Sequence, residues 1–177
     1  KCGTTNMSYY LNEHPDVFIP ELMEPYYYSR FDVPQNFNRE SMIIDEKNYL
    51  KLFKNGINHK AIGESSPVYL QCPHSPIEIK KDNPDAKIII SIRNPIDKAH
   101  SSYFSYKFMN LDKRSFSEKI TIFEKERDRN EFFIFNFIED GLFSKHIQHY
   151  QNYFEPKNIK IIFFEDYILN TVDHIKS

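Results

Sequence analysis

Two short runs of nearly continuous apolar residues constrain the fold of this 177-residue chain more than any other feature of its sequence. They are residues 87–92 (KIIISI) and residues 159–164 (IKIIFF), and a helical pattern follows each run. Such runs are typical of strands that are buried on both faces of a parallel sheet. The sequence therefore predicts an α/β fold with a central, mainly parallel sheet, and residues 1–177 are expected to form a single, partial domain.

The pattern after the first run carries clear signals for the start of a helix. Asn94 is a good N-cap residue, and Pro95 suits the first helical position. The side chains expected to face the core from this helix are Ile96, Ala99 or His100, and Tyr103. Further helices are predicted at 4–13, 46–54, 75–83 and 142–154, a short strand at 60–63, and a helix that begins with the capping box of Ser115 and Glu118. Residues 131–138 fit a strand or a helix equally well.

Composition and charge exclude several classes of protein. A formal net charge of −2 provides no broad basic surface, so a nucleic-acid partner is not expected. No apolar run approaches the roughly 18–20 residues that a membrane helix needs, and no secretory leader opens the chain. Cys2 and Cys72 are too few for a disulfide framework or a four-ligand zinc site, and they fit reduced thiols. These observations predict a cytoplasmic protein.

The first five residues, Lys1-Cys2-Gly3-Thr4-Thr5, form a candidate anion-binding loop ahead of the first helix. Glycine lets the backbone approach an anion closely, and the first amides of a helix carry unsatisfied N–H groups and partial positive charge. The threonine hydroxyls add donors, and the lysine adds a full charge. Taken alone, these residues fit an ordinary helix start equally well.

A second candidate anion site extends from Arg93 to Ser101. Arg93 lies at the carboxyl end of the strand at 87–92, and ligands of open α/β sheets bind beyond such ends. Its planar guanidinium can clamp a phosphate, and Ser101 follows roughly 9 Å along the helix from Pro95. Both side chains can therefore reach one phosphate, although Arg93 alone also fits a surface salt bridge.

Together, the two segments resemble the nucleotide-binding motifs of sulfotransferases that use 3′-phosphoadenosine 5′-phosphosulfate (PAPS). Residues 1–5 are similar to their 5′-phosphosulfate loop (KxGTT). Arg93-Asn94-Pro95, with Ser101 eight positions after Arg93, is similar to their 3′-phosphate motif. Further segments follow the order of the family: 11–16 (LNEHPD), 24–28 (EPYYY), 63–69 (GESSPVY), 141–143 (GLF) and 164–167 (FEDY). The resemblance spans nearly the whole chain and implies a three-layer sandwich related to the P-loop NTPase fold.

The resemblance implies transfer of a sulfuryl group from PAPS to a hydroxyl or amine of an acceptor, releasing adenosine 3′,5′-bisphosphate (PAP), with no metal needed. The donor-binding residues that it implies are Lys1, Gly3, Thr4, Thr5, Arg93 and Ser101. Lys1 would also stabilise charge on the leaving oxygen, and Arg93 with Ser101 would bind the 3′-phosphate. The physical logic agrees, because sulfuryl transfer depends on in-line positioning and on stabilising the departing charge.

Glu24 matches the catalytic glutamate of heparan-sulfate-type members, which would accept the acceptor's proton. The resemblance implies that the acceptor is a small molecule or a carbohydrate, and the likeness to heparan-sulfate-type members favours a carbohydrate. His74 is the second candidate for the base, because cytosolic members use a histidine upstream of the 3′-phosphate arginine. Two positions depart from the family: Ser65 stands where heparan-type members often have lysine, and Lys98 where arginine is usual. The first departure removes a cationic helper, and the second keeps the charge but loses the planar fork.

Two other functions stay open on the sequence alone. A P-loop kinase or NTPase would need GxxxxGK[ST] and an acidic strand end for Mg²⁺, which only Glu165-Asp166 imitates. A sulfotransferase-like or nucleotide-binding module without activity is the other alternative. Tyr26, Tyr27 and Tyr28 fit a sugar cleft or the core equally well.

The ends of the chain fit an excerpt of a domain. No strand precedes Lys1, and Ser177 falls within a predicted helix, so natural sequence is expected to be missing at both ends. A targeting or anchor segment, such as the one that holds some relatives in the Golgi membrane, would then belong to the missing amino-terminal part.

Overall fold

A computed structural model describes residues 1–32, 42–108, 113–126 and 138–171. The helices in these ranges are α1 (Thr4–Asn12), α2 (Glu46–Lys51), α3 (Ser75–Asp82), α4 (Pro95–Phe108), α5 (Phe116–Glu126), α6 (Phe143–Gln151) and α7 (Phe164–Leu169). The strands are β1 (Val17–Phe18), β2 (Ala61–Ile62), β3 (Ile88–Ile92) and β4 (Ile159–Phe163). The ambiguous segment at 131–138 lies outside the described residues, apart from Ile138.

The described strands pair in parallel, as the sequence predicted. β3 pairs with β4 in continuous register from Ile88 opposite Ile159 to Ile92 opposite Phe163. β1 pairs with β2 in a second, shorter parallel pair. Both apolar runs are therefore neighbouring strands, and their carboxyl ends meet at one edge of the sheet.

Helices cover both faces of the β3–β4 pair, which gives the three layers expected from the sequence. On one face, Met7 of α1 and Tyr167 of α7 pack with Ile162. On the other face, Tyr150 of α6 and nearby Phe154 pack with Ile90. This mixed α/β arrangement confirms the predicted fold class and places the start of α1 near the carboxyl ends of the strands.

The expectation that the two central strands are buried on both faces is wrong for part of each strand. Ile89 is 47% exposed and Phe163 is 55% exposed. The core cluster on the face of α6 contains Ile88, Ile90 and Ile92 of β3 but only Ile159 from the start of β4, and Phe163 at the end of β4 lies outside it. Ile89 lies on the opposite face of β3 from α6, two residues before Ser91, whose hydroxyl binds the Cys2 carbonyl oxygen.

The predicted helix starts are confirmed. The Asn94 Oδ1 atom accepts hydrogen bonds from the backbone N–H groups of Ile96 and Asp97, at 3.0 and 3.4 Å. The Ser115 hydroxyl oxygen accepts from the N–H of Glu118 at 3.3 Å, and the Glu118 carboxylate accepts from the N–H of Ser115 at 2.6 Å. Both caps satisfy amides that have no partner inside their helix.

The core-facing stripe predicted for α4 is only partly right. Ala99 and Tyr103 are buried, whereas Ile96 is 75% exposed and His100 is also exposed. Lys98 is buried in place of Ile96, at 6% exposure. The helix is therefore rotated so that a charged side chain faces inward.

Alanine at Gly3 is expected to destabilise the fold. Gly3 has φ 76°, and an added Cβ would lie 2.9 Å from Cε2 of Phe164. A left-handed conformation and this overlap together should lower the free energy of unfolding by about 2 kcal/mol in urea titrations. The matched variant Gly63→Ala, whose Cβ would lie 3.4 Å from Ile19 Cδ1, should change it by less than about 1 kcal/mol. Equal losses in the two variants would contradict this account of Gly3.

Candidate active site

The loop at residues 1–3 leads into α1 and is tied to the end of β3. Gly3 takes the left-handed conformation, and no side chain caps the start of α1. The buried Ser91 hydroxyl donates to the Cys2 carbonyl oxygen at 2.7 Å. The uncapped amides of α1 are thereby held above the sheet edge, where they can receive an anion.

The two segments predicted to bind anions are in direct contact. Nη1 of Arg93 donates to the Lys1 carbonyl oxygen at 3.2 Å. The guanidinium also lies over the Phe164 ring, 4.8 Å from its centre. Arg93 is thus held by the loop that begins at Lys1, and one small ligand can contact both segments.

Ser101 and Lys1 line the same open cavity, whose volume is about 590 Å³. The cavity is lined by Lys1, Ser101, Phe104, Ser105, Lys107 and Phe108. Thr4 and Thr5 occupy the first turn of α1, where Thr4 is partly exposed and Thr5 is exposed. The structure therefore places Lys1 in contact with Arg93 and at one cavity with Ser101, and the roles of these residues in binding a nucleotide stay a prediction.

Glu165 has a role in this loop cluster that the sequence did not indicate. Its Oε1 atom accepts a hydrogen bond from the Asn94 backbone N–H at 2.9 Å. This bond lowers the pKa of Glu165, and the charge of Arg93 acts in the same direction. Glu165, which the sequence offered as a possible magnesium ligand, thus joins the loop after β3 to the start of α7.

Lys98, which replaces the arginine usual in the family, forms a buried ion pair beneath the loop. Its Nζ atom lies 3.4 Å from the carboxylate of Asp140, and both side chains are less than 10% exposed. Burial raises the pKa of Asp140 to about 6, and the charge of Lys98 opposes that shift. Lys98 and Arg93 also oppose the rise in the pKa of the Cys2 thiol that burial causes. The pair therefore places the positive charge of Lys98, together with the opposing charge of Asp140, close to residues 1–3.

Glu24 lies on a different segment, beside α4. The Tyr26 hydroxyl donates to Oε2 of Glu24 at 2.5 Å. Burial raises the pKa of Tyr106 on α4, and the carboxylates of Asp140 and Glu24 add to that rise. Glu24 does not line the cavity of Lys1 and Ser101, but it is an electrostatic neighbour of the helix that forms the cavity wall.

The tyrosines after Glu24 mostly belong to the core. Tyr27 is 4% exposed and stacks on Tyr49 with 4.1 Å between ring centres. Tyr28 contacts Tyr27 and Tyr69 edge to face. Among these three tyrosines, Tyr26 is the one whose hydroxyl contacts Glu24.

His74, the second candidate for the base, is engaged elsewhere. Its Nδ1 atom lies 2.6 Å from Oδ1 of Asp32, and its backbone N–H donates to Oδ2 of the same carboxylate. It stands just before α3, as a helix-start residue. The structure does not bring His74 to Lys1, Arg93 or Ser101 through any contact among the described residues.

Glu64 is a partly buried residue of the segment 63–69, and the sequence did not indicate its role. Its Oε2 atom accepts from the Ser66 hydroxyl at 2.9 Å, and its Oε1 atom accepts from the Tyr49 hydroxyl at 3.4 Å. Burial raises its pKa to about 7, and hydrogen bonds from Tyr69 and Ser66 oppose the shift. The feature of the sequence that could have pointed to Glu64 is the polar stretch GESS, residues 63–66, ahead of a proline.

Two further classes of feature are absent from the described ranges. In residues 1–32, 42–108, 113–126 and 138–171, no helix is both long and apolar enough to cross a membrane. No cluster of three or more His, Cys, Asp or Glu side chains suited to a metal ion occurs in the same ranges. The cytoplasmic location stays a prediction.

Replacing Glu64 by glutamine is expected to stabilise the fold above neutral pH. Because the pKa of Glu64 is raised from 4.5 to about 7, its contribution to stability is fully present below pH 4.5 and is lost as pH rises through 7. This shift corresponds to about 3 kcal/mol. In urea titrations, the unfolding free energy of Glu64→Gln minus that of the wild type should increase by up to this amount between pH 4.5 and 8. The exposed variant Glu46→Gln is the control, and a constant difference across that range would refute the shift.

Comparisons with known proteins agree with this geometry. Residues 1–177 match the family model described as a sulfotransferase domain. The crystal structure of a sulfotransferase from Alicyclobacillus acidocaldarius matches with a TM-score of 0.92 and 30% identity, covering 99% of this chain and 74% of that one. The membrane-associated sulfotransferase kil1 of Dictyostelium discoideum is 26% identical over 114 residues, which is 64% of this chain. The alignment spans 23% of the length of that curated relative. This chain therefore belongs to the sulfotransferase domain family.

Proposed function

We propose that this protein transfers a sulfuryl group from PAPS to a hydroxyl group of a carbohydrate acceptor. The observation that carries the proposal is the meeting of the two anion-binding segments. Arg93 donates to the Lys1 carbonyl at 3.2 Å, and Ser101 shares a cavity with Lys1. A molecule with one phosphate on each side of a ribose matches two such neighbouring sites.

The residues present fit the donor. The amides at the start of α1, with the hydroxyls of Thr4 and Thr5, would bind the 5′-phosphosulfate, because no side chain caps that helix. The absent side chain at Gly3 leaves room for close approach of the anion. Arg93 and Ser101 would bind the 3′-phosphate, which distinguishes PAPS from ATP.

The chemistry is an in-line displacement at sulfur. The acceptor hydroxyl oxygen forms a new bond to sulfur, while the bond from sulfur to the 5′-phosphate oxygen breaks and PAP leaves. Lys1 stabilises the negative charge that develops on the leaving oxygen. Glu24 takes the proton of the attacking hydroxyl, so that charge and atoms balance.

The wall of the cavity supports a carbohydrate acceptor. Phe104 and Phe108 lie one turn apart on α4 and are 53% and 92% exposed. Ser105 and Lys107 lie beside them at the same cavity. Exposed flat rings with flanking polar groups suit the apolar face of a sugar ring, whereas an apolar phenol favours an enclosed pocket. The acceptor would lie along α4, beside Lys1 and towards Tyr106, the electrostatic neighbour of Glu24.

Loss of the lysine or of the carboxylate should reduce sulfate transfer. With ³⁵S-labelled PAPS and a glycosaminoglycan oligosaccharide as acceptor, Lys1→Ala should lower kcat by about 100-fold or more. Glu24→Gln should lower kcat by a similar factor while PAP still binds with wild-type affinity in calorimetry. The exposed pair Lys157 and Glu155 supplies the controls Lys157→Ala and Glu155→Gln, which should keep wild-type rates. Tight PAP binding without any transfer by the wild type would instead indicate an inactive module.

The rings of Phe104 and Phe108 should contribute to acceptor binding and not to donor binding. Phe104→Ala and Phe108→Ala are each expected to raise the KM for the oligosaccharide by about 5- to 50-fold, with little change in PAP affinity. Tyr9→Ala, which removes a 64% exposed ring from α1, is the matched control and should leave both constants unchanged. A fall in PAP affinity would show that these rings stack on the adenine of the donor, which contradicts the acceptor assignment.

A further inference from the structure

The segment that carries Glu24 is held in a strained conformation. Glu24 has φ 54° and Tyr26 has φ 55°, and both lie in the left-handed region that residues other than glycine rarely adopt. Pro25, between them, is almost fully buried. Such strain persists only where the surrounding structure enforces it, and it collects at functional sites. The contacts that enforce it therefore determine where the Glu24 carboxylate lies.

Three hydrogen bonds fix the backbone after Glu24, two of them from distant parts of the chain. The Tyr26 N–H donates to the Ser66 hydroxyl oxygen at 3.3 Å. The Tyr26 carbonyl oxygen accepts from the Ser29 hydroxyl at 2.8 Å. The Tyr28 N–H donates to the Tyr69 hydroxyl oxygen at 3.2 Å. Ser66 and Ser29 both bind Tyr26, the residue whose own hydroxyl donates to the Glu24 carboxylate, and Ser66 binds its N–H, which is the side of Tyr26 nearer to Glu24 along the chain.

Glu64 sets the orientation of the Ser66 hydroxyl. A serine hydroxyl has one hydrogen to donate and lone pairs to accept with. Ser66 donates that hydrogen to Glu64 at 2.9 Å, which leaves its lone pairs for the Tyr26 N–H. The other carboxylate oxygen of Glu64 accepts from Tyr49, so the carboxylate itself is fixed from two sides.

We propose that Glu64 is a positioning residue for the general base, acting through Ser66 and Tyr26 on the Glu24 carboxylate. The chain of contacts runs from Glu64 to the Ser66 hydroxyl, from Ser66 to the Tyr26 backbone, and from the Tyr26 hydroxyl to Glu24. Glu64 itself touches neither donor nor acceptor in this arrangement. The inference rests on the proposed function, in which Glu24 accepts the proton of the attacking hydroxyl.

The ionised form of Glu64 is the form that completes this arrangement, because both of its oxygens accept hydrogen bonds. The titratable groups that face it are the phenols of Tyr49, Tyr69 and Tyr150 and the carboxylate of Glu24. Its pKa of about 7, raised by burial, places its ionisation within the working range of an assay. The rate of transfer should therefore rise through an ionisation near pH 7.

The test compares kcat, KM for PAPS and PAP affinity in Glu64→Gln, Ser66→Ala and Tyr26→Phe, using ³⁵S-labelled PAPS and the oligosaccharide acceptor. Each variant is expected to lower kcat by about 10- to 100-fold, while KM for PAPS and PAP affinity stay within about twofold of the wild type. In Glu64→Gln the step near pH 7 should disappear from the pH profile of kcat. That variant should be slower although it is more stable at pH 8, which a purely structural role does not produce.

Two reference variants separate the possible failures. Ser75→Ala removes an equally buried hydroxyl that donates to the Tyr28 carbonyl at 2.9 Å, and it should keep kcat within about threefold. If Ser75→Ala and Ser66→Ala lose the same activity, or if Glu64→Gln keeps full kcat and the step near pH 7, the positioning role is overturned. The wild type and Glu24→Gln together report on the proposed function itself: transfer by the wild type that Glu24→Gln loses supports that function whatever Glu64 does. Full activity in Glu24→Gln would overturn the base role of Glu24, and with it the positioning role of Glu64, while sulfuryl transfer itself would stand.

Discussion

The contact between the amino-terminal loop and the carboxyl end of β3 is the interaction on which the candidate site depends. Ser91 donates to the Cys2 carbonyl oxygen and Arg93 donates to that of Lys1, so two backbone oxygens of the loop are held by the last part of β3 and the residue that follows it. These bonds bring the uncapped start of α1 and the guanidinium to the same edge of the sheet. Without them, the lysine and the arginine would be separate surface cations with no common ligand.

The fold also buries two carboxyl groups, and their burial lowers its stability at neutral pH. The carboxyl of Asp140 is buried against Lys98, and the carboxyl of Glu64 is buried among tyrosines. Burial raises the pKa of both carboxyls, which means that their ionised forms cost free energy at neutral pH. Apolar side chains of similar size would pack at lower cost, so the retention of these charges is consistent with a role in placing the site.

The sequence predicted the features that depend on neighbouring residues. The strands at 87–92 and 159–164, the cap at Asn94 and the helix start after Gly3 all follow from composition over a few positions, and the structure confirms them. Anion binding by residues 1–5 stays a prediction. The stripe on α4 was partly wrong because counting apolar positions treats Lys98 as a surface residue. Its buried partner Asp140 lies 42 positions away, beyond any local pattern.

The contacts around Glu24 could not be predicted for a similar reason. Ser66 lies 40 positions after Tyr26, and positive φ angles at Glu24 and Tyr26 contradict the usual preference of these residue types. The motif GESSPVY was visible in the sequence, but only the folded chain places its glutamate and serine behind the tyrosine. Long-range packing, and not local propensity, decided this part of the site.

The most direct measurement of the central claim is a pair of calorimetric titrations, with PAP and with adenosine 5′-monophosphate, which lacks the 3′-phosphate. If Arg93 and Ser101 bind that phosphate beside the loop of Lys1, the protein should bind PAP about 100-fold more tightly. The preference should vanish in the double variant Arg93→Ala with Ser101→Ala, while weak binding of the 5′-monophosphate persists. Equal affinities for the two nucleotides in the wild type would contradict the claim that these two segments form one nucleotide site.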